Sequence, residues 1–187
     1  HAGQANDDMS GVVVGIEVLK RLARRQRRKY SYRLIIAPEH FGTVFYLSDR
    51  PQEQVNCFLY CIFLEMLGND NRFALQESFT GETMLDKASH HYLTAYHPQH
   101  HSDKFRKVVG NDETVWEAPG FEIPTISLSR FPYAQYHSSK DTHEIISEER
   151  LEESVSAVLG ILDILENNAV AERHFKGLVA LSNPKYD

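Results

Sequence analysis

Apolar residues Val12, Ile16, Leu19 and Ala23 recur at helical spacing behind Ser10, which predicts a helix over Gly11 to Gln26 capped by that serine. The run Tyr32 to Pro38 is short, apolar and β-branched, the pattern of a buried strand, and the segment behind it, from Glu39 to Ser48, predicts a short helix. A second buried strand is expected over Cys57 to Leu67, closed by the turn-forming sequence Gly68 to Asn71. A surface helix follows near Glu82 to Tyr96, then a strand over Ile123 to Arg130. Leu151, Val155, Val158, Leu162 and Leu165 share one face behind Ser147, giving a long amphipathic helix to about Glu166. Strands alternating with helices predict an α/β sandwich around a mainly parallel sheet, with no internal repeats.

Composition narrows the class. At 187 residues the chain fits one domain, and 42% hydrophobic with 25% charged residues is a globular balance. No apolar stretch approaches the roughly 20 residues of a membrane span. Twenty basic against 26 acidic side chains, a formal charge of −6, argue against nucleic acid or an anionic membrane as the main partner. The cysteines Cys57 and Cys61 sit in an apolar run and build no disulfide framework, so reduced thiols and a cytoplasmic location are expected. The N-terminus has no initiator Met and no signal-peptide pattern, and the numbered chain reads as one domain, 1–187, of a longer polypeptide.

In α/β sheets, sites form beyond the carboxyl ends of strands. The polar residues placed there are His1 with Asp7, Glu39 with His40, Glu65, and His137. All are imidazoles or carboxylates, the ligands that suit zinc. Taken singly, each is more often a solvated or structural group; for Glu39 the alternative is a helix N-terminal carboxylate, for Tyr136 simple packing.

In order and local spelling these segments resemble the co-catalytic zinc aminopeptidases of the M28 peptidase family, in particular its divergent aminopeptidase-like branch (DUF4910/DUF2172 type) with the pattern H-x-x-x-x-N-D-x-x-S-G. "NDDMSG" matches Asp7 to the family's bridging aspartate, and His1 to its upstream histidine. "PEHFG" matches Glu39 to the general base and His40 to the ligand that follows it. "FLEMLG" matches Glu65 to a further carboxylate ligand. "YHSSKDT" matches Tyr136, His137, Asp141 and Thr142 to the last histidine motif. The resemblance covers His1 to about Thr142 and implies a three-layer α/β/α sandwich of the zinc-peptidase, phosphorylase/hydrolase-like type.

It also implies one or two Zn2+ ions, one held by His1, Asp7 and Glu65 and the other by Asp7, His40 and His137. Glu39 would be the base and Tyr136 an oxyanion donor in hydrolysis of an N-terminal peptide bond. His40 departs from the family's usual carboxylate, and the strands that precede the first histidine in family members are absent from this numbering. The alternatives are an amidohydrolase or deacylase acting on a small molecule or sugar, and a non-catalytic metal-binding interaction module. Outside these motifs, His90, His91, His97, His100 and His101 crowd one stretch, read as solvated helix and loop rather than a second metal site. The basic run Lys20 to Lys29 reads as a helix C-terminus. Asp112 is expected either to shape the substrate pocket or to cap the turn behind it.

Overall fold

The computed structural model describes residues 3–174, 176 and 177. A π-type turn, Ala5–Ser10, runs directly into helix α1, Gly11–Ala23. After a segment outside helix and sheet come α2, Phe41–Ser48, and the single turn α3, Gln52–Val55. Strands β1, Cys61–Leu64, and β2, Ala74–Gln76, are followed by α4, Met84–Tyr96, and β3, His101–Asp103. A one-turn α5, Glu113–Trp116, leads to β4, Thr125–Ser129, and the long α6, Glu148–Asn167, completes the order.

The strands form one mixed sheet in the order β1-β4-β2-β3. β1 runs parallel to β4, with Ile62 opposite Ile126; β2 runs antiparallel to β4, with Leu75 opposite Leu128; β3 runs parallel to β2. Alternation along the strands separates the faces. Ile62, Leu64, Leu75, Ile126 and Leu128 join Val14, Val18 and Leu22 of α1 and the buried stripe of α6 in the larger core. The smaller core holds Leu47, Val55, Trp116 and Ile123, with Cys61 against it. On β4 the residues between the apolar ones are Thr125, Ser127 and Ser129, all buried, so that face of the sheet carries hydroxyls into the interior.

The expected α/β sandwich is thus observed, with differences in its parts. The predicted helices over 82–96 and 147–166 form within a residue or two of expectation, and Ser147 caps α6 by accepting the Arg150 N–H. Ser10 is no cap: it lies in helical conformation, and its hydroxyl donates to the Asn6 carbonyl while accepting the Leu67 N–H. α1 ends at Ala23 rather than Gln26, and the strand expected over Cys57 to Leu67 is regular only over Cys61–Leu64. The largest departure is Tyr32 to Pro38, which forms neither helix nor strand and joins no sheet among the described residues, leaving Ile36 59% exposed. β-Branched character favours an extended backbone; pairing also needs a neighbour at strand distance, and an open cleft lies between this segment and β1.

The basic run is absorbed by α6. Arg21 pairs with Glu17 and Glu152, Arg25 pairs with Asp163, and Glu166 accepts the Lys29 and Tyr30 N–H groups and the Tyr32 hydroxyl. These contacts fasten the end of α1 and the start of the segment behind it to α6, which agrees with the structural reading of the run. Among the described residues, no helix is long and apolar enough to cross a membrane.

Candidate active site

The turn before α1 is sewn to its surroundings on two sides. Asp141, fully buried, accepts the N–H groups of Asn6 at 2.7 Å and Asp7 at 3.0 Å, and also the Tyr133 hydroxyl at 2.8 Å. Toward β1, Asn6 Oδ1 accepts the Gly68 N–H at 2.9 Å, and Asp8 Oδ1 accepts the N–H groups of Met66 at 3.1 Å and Gly11 at 3.3 Å. Short polar side chains that bond to nearby backbone are what such a turn requires, and "NDDMS" supplies one at nearly every position. The result fixes Asp7 beyond the carboxyl end of β1, at the mouth of a cleft of about 1130 Å³.

His137 meets Asp7 there, Nε2 to Oδ2 at 3.3 Å. The Tyr136 ring stacks on the His137 imidazole, centroids 3.9 Å apart and planes 23° apart. Glu39 and Glu65 line the same cleft. Glu65 is only 1% exposed; Ser127 donates to Oε1 at 2.6 Å and Asn111 to Oε2 at 3.2 Å. His40, with φ +56°, starts α2 and does not wall the cleft: its N–H donates to Asp112 at 2.7 Å, Nδ1 lies 3.2 Å from the same carboxylate, and Nε2 lies 3.3 Å from Glu39 Oε1. Asp112 also accepts the Thr43 hydroxyl. It is therefore a buried anchor for the start of α2, with no side-chain cap on α5.

The electrostatics are those of crowded acids. Burial, followed by the charge of Glu65, pushes Asp8 up to about 8, against the pull of the Met66 N–H. Burial pushes Glu65 up to about 7 despite the bonds from Ser127 and Asn111, with Glu113 and Asp7 adding to the rise. Asp7 is raised by burial; His137 opposes this, while Asp141 and Glu39 add to it. The Tyr136 phenol is raised by burial and by Asp7, Glu65 and Glu39, so it stays a proton donor near neutral pH.

This has a sign for stability. Between the ordinary carboxylate value of 4.5 and about 7, folded Glu65 keeps a proton that the unfolded chain has released. Its contribution is complete below 4.5 and is lost as pH rises through about 7, so unfolding free energy falls across this window by about 1.4 kcal/mol per pH unit for that proton. Asp8 extends the decline to about 8. Asn111 Oδ1 is buried without a hydrogen-bond partner, and a turned Asn111 amide would accept from a neutral Glu65 or from glutamine. Urea unfolding of metal-free protein is expected to show this fall, and Glu65→Gln to flatten it; equal pH profiles for both proteins would remove Glu65 as its source.

Among the expected ligands, Asp7 and His137 meet and Glu65 shares their cleft. His40 is held by Asp112 and Glu39, and His1 lies outside the described residues. Among the described residues, no three His, Cys, Asp or Glu side chains stand close enough together to hold a metal ion. The donor set nevertheless suits a cation, because carboxylates forced toward protonation by burial and by one another gain from a positive charge. In the separate histidine stretch, His90 pairs with Glu77 and His97 with Glu153, while His97 packs edge-on against Phe73. Sequence reasoning assigned no role to Asp8, Asn111, Tyr133 or Asp141. Asp8 was signalled by its place beside Asp7, and Asp141 by its place in the His137 motif; Asn111 and Tyr133 are placed by tertiary contacts alone.

The chain has relatives. A Clostridium acetobutylicum protein named as a candidate polysaccharide biosynthesis protein with an aminopeptidase-like domain is 27% identical over 179 residues, which cover 90% of this chain and 38% of that protein. A crystal structure of a candidate peptidase from Clostridium acetobutylicum superposes with a TM-score of 0.82 at 26% identity, covering 87% of this chain and 38% of that one. BSAP, a zinc aminopeptidase from Bacillus subtilis, shares the fold with a TM-score of 0.71 at 17% identity, covering 87% and 42%. The chain therefore spans about two fifths of the length of these relatives. A profile described as a domain of unknown function, DUF4910, matches residues 1–168, and the chain belongs to that family.

Proposed function

We propose that this chain carries the site of a metal-dependent, aminopeptidase-like hydrolase of the M28 type, which cleaves an N-terminal peptide bond or a related amide with water. The observation that carries the reading is the meeting of Asp7 and His137 at 3.3 Å, at the mouth of a cleft also lined by Glu39, Glu65 and Tyr136. Aminopeptidases among the structural relatives, one of them a zinc enzyme, support the choice of chemistry.

Asp7 and His137 would hold a zinc ion, with Glu65 and His1 as the further ligands. When bound, zinc supplies positive charge that acidifies water and polarises a carbonyl. One ion suits the arrangement better than two, because a second would require His40 to leave Asp112. Glu39, on the cleft wall with a 64% exposed side chain, takes the proton of the attacking water and returns it to the leaving amine. His40, between Asp112 and Glu39, acts as a positioning residue for that base. The Tyr136 hydroxyl donates to the oxygen that gains charge. A second reading, an amide hydrolase acting on a sugar or other small molecule, takes support from the Clostridium relative named for polysaccharide biosynthesis.

The test is zinc stoichiometry followed by a substrate panel. Zinc-loaded protein is expected to release amino acid from unblocked short peptides or aminoacyl amides, and Asp7→Ala and His137→Ala are expected to lose zinc. Cleavage confined to blocked amides or acylated sugars selects the second reading. Unchanged zinc content in both variants refutes the site, and zinc binding without any turnover leaves a binding module.

A further inference from the structure

Between Glu17 and Glu39 the chain holds eight cations and no acid, in a protein whose formal charge is −6. α6 claims one side of this stretch: Arg21 and Arg25 pair with Glu152 and Asp163, and Glu166 accepts the Lys29 and Tyr30 N–H groups. Arg24, Arg27 and Arg28 are exposed and pair with no carboxylate among the described residues. The carbonyl end of α1 accounts for one of them, because Arg28 Nη1 donates to the Leu22 carbonyl at 3.0 Å, which holds its guanidinium over the helix end. Arg24 and Arg27 are surplus to that need. Lys29, whose Nζ donates to the Asn168 carbonyl at 3.1 Å, adds a fourth exposed cation. The backbone beneath them is fixed at both ends, by the Arg24 and Arg25 N–H groups on the Arg21 and Leu22 carbonyls and by Glu166 on Lys29.

The surroundings select the partner. Among the described residues between Ile16 and Ile36, no large apolar side chain stands exposed, so the turn offers neither the buried anchor of a protein interface nor the wedge of a membrane-inserting surface. Tyr30 and Tyr32 pack against the larger core and present no ring on which a base could stack. What remains is charge carried mainly by guanidinium, whose planar fork of donors suits phosphate oxygens. We propose that the turn 24–29 docks the phosphate backbone of a nucleic-acid duplex, without regard to base sequence. Arg24 and Arg28 stand at most about 14 Å apart along the chain, a span over which a duplex presents about eight phosphates. The overall negative charge does not oppose this, because at physiological salt a polyanion feels charges within about 8 Å. The turn lies beyond the far end of α1 from Asp7, about 20 Å away at 1.5 Å per helical residue, so a docked duplex leaves the mouth of the cleft open.

The probe is a fluorescein-labelled DNA duplex of about 20 base pairs, two turns of the double helix, titrated with the chain while anisotropy is read from about 50 to about 300 mM salt. Three to four phosphate contacts predict a slope of log K against log salt of about −3, and equal binding of duplexes of unrelated sequence. Arg24→Gln combined with Arg27→Gln is expected to weaken binding by about tenfold or more and to make the slope shallower by about 2. Both side chains are exposed and unpaired among the described residues, so the fold is retained. Lys104→Gln combined with Lys107→Gln removes the same charge from another exposed turn and is expected to change neither quantity. Four results overturn the proposal: no binding at the lowest salt, a parent slope shallower than about −1, equal weakening by the lysine pair, or binding to polyglutamate or phosphatidylserine vesicles as tight as to the duplex, which would make an acidic protein or a membrane surface the partner.

Discussion

Glu39→Gln is expected to lower amide hydrolysis by about 10² to 10⁴-fold, the usual contribution of a general base, while zinc content and thermal stability stay those of the parent protein. Glutamine keeps the shape of glutamate and loses its capacity to take a proton. Among the described residues no backbone group donates to the Glu39 carboxylate, and the side chain is 64% exposed, so its replacement removes little from the fold. The loss is expected in kcat with KM little changed, because the interaction removed belongs to the transition state. Retention of half or more of the activity would take Glu39 out of the base role. A Glu39→Gln protein that also loses its zinc would make Glu39 a ligand instead.

Gly11→Ala is expected to destabilise the protein by about 3 kcal/mol, at the upper end of the cost of overpacking. Helix propensity alone predicts the opposite sign, a gain of about 1 kcal/mol for replacing glycine by alanine. The difference lies in what the new methyl would meet. A Cβ at position 11 would stand 2.2 Å from the Leu64 carbonyl oxygen, 2.8 Å from its carbon and 2.5 Å from Asp8 Oδ1. Backbone cannot step aside as a side chain can, so α1 must lift from the end of β1, carrying Asp7 and Asp8 with it. Gly15→Ala is the internal control: its nearest neighbour is a Leu34 methyl group at 2.8 Å, beside the open cleft, and a cost within about 1 kcal/mol is expected. Thermal or urea unfolding of the two variants checks the pair. A Gly11→Ala protein as stable as Gly15→Ala would mean that α1 does not approach β1 this closely.

Much of the architecture was legible because it is written locally. The Leu151 to Leu165 stripe and its Ser147 cap need nothing from elsewhere in the chain, and α6 forms where the spacing places it. The alternation Thr125, Ile126, Ser127, Leu128, Ser129 likewise reports a strand with two unlike faces, and β4 is that strand. Tyr32 to Pro38 was misread because residue character reports a preference for extended backbone and not the presence of a neighbour. Ser10 was misread for a related reason: the Asn6 carbonyl and Leu67 N–H that claim its hydroxyl come together only in the folded chain.

At the candidate site, the motifs named Asp7 and His137, and the fold brings them together from distant parts of the chain. Motifs could not say that His40 would be taken up by Asp112 and Glu39, since that depends on how α2 docks against the turn before α5. The work of Asp141 and Tyr133 was equally hidden, because holding the Asn6 and Asp7 amides is a task visible only once the turn exists.

Glu166, at the end of α6, grips the amides of Lys29 and Tyr30 and the Tyr32 hydroxyl, and Asp112 grips the His40 amide and the Thr43 hydroxyl. The outer wall of the cleft is therefore moored at its two ends like a footbridge on two piers. Between the piers Leu34 rests against Gly15 and Ile35 packs with the smaller core, so this bank of the gorge is held by side chains and, among the described residues, by no rung of the sheet.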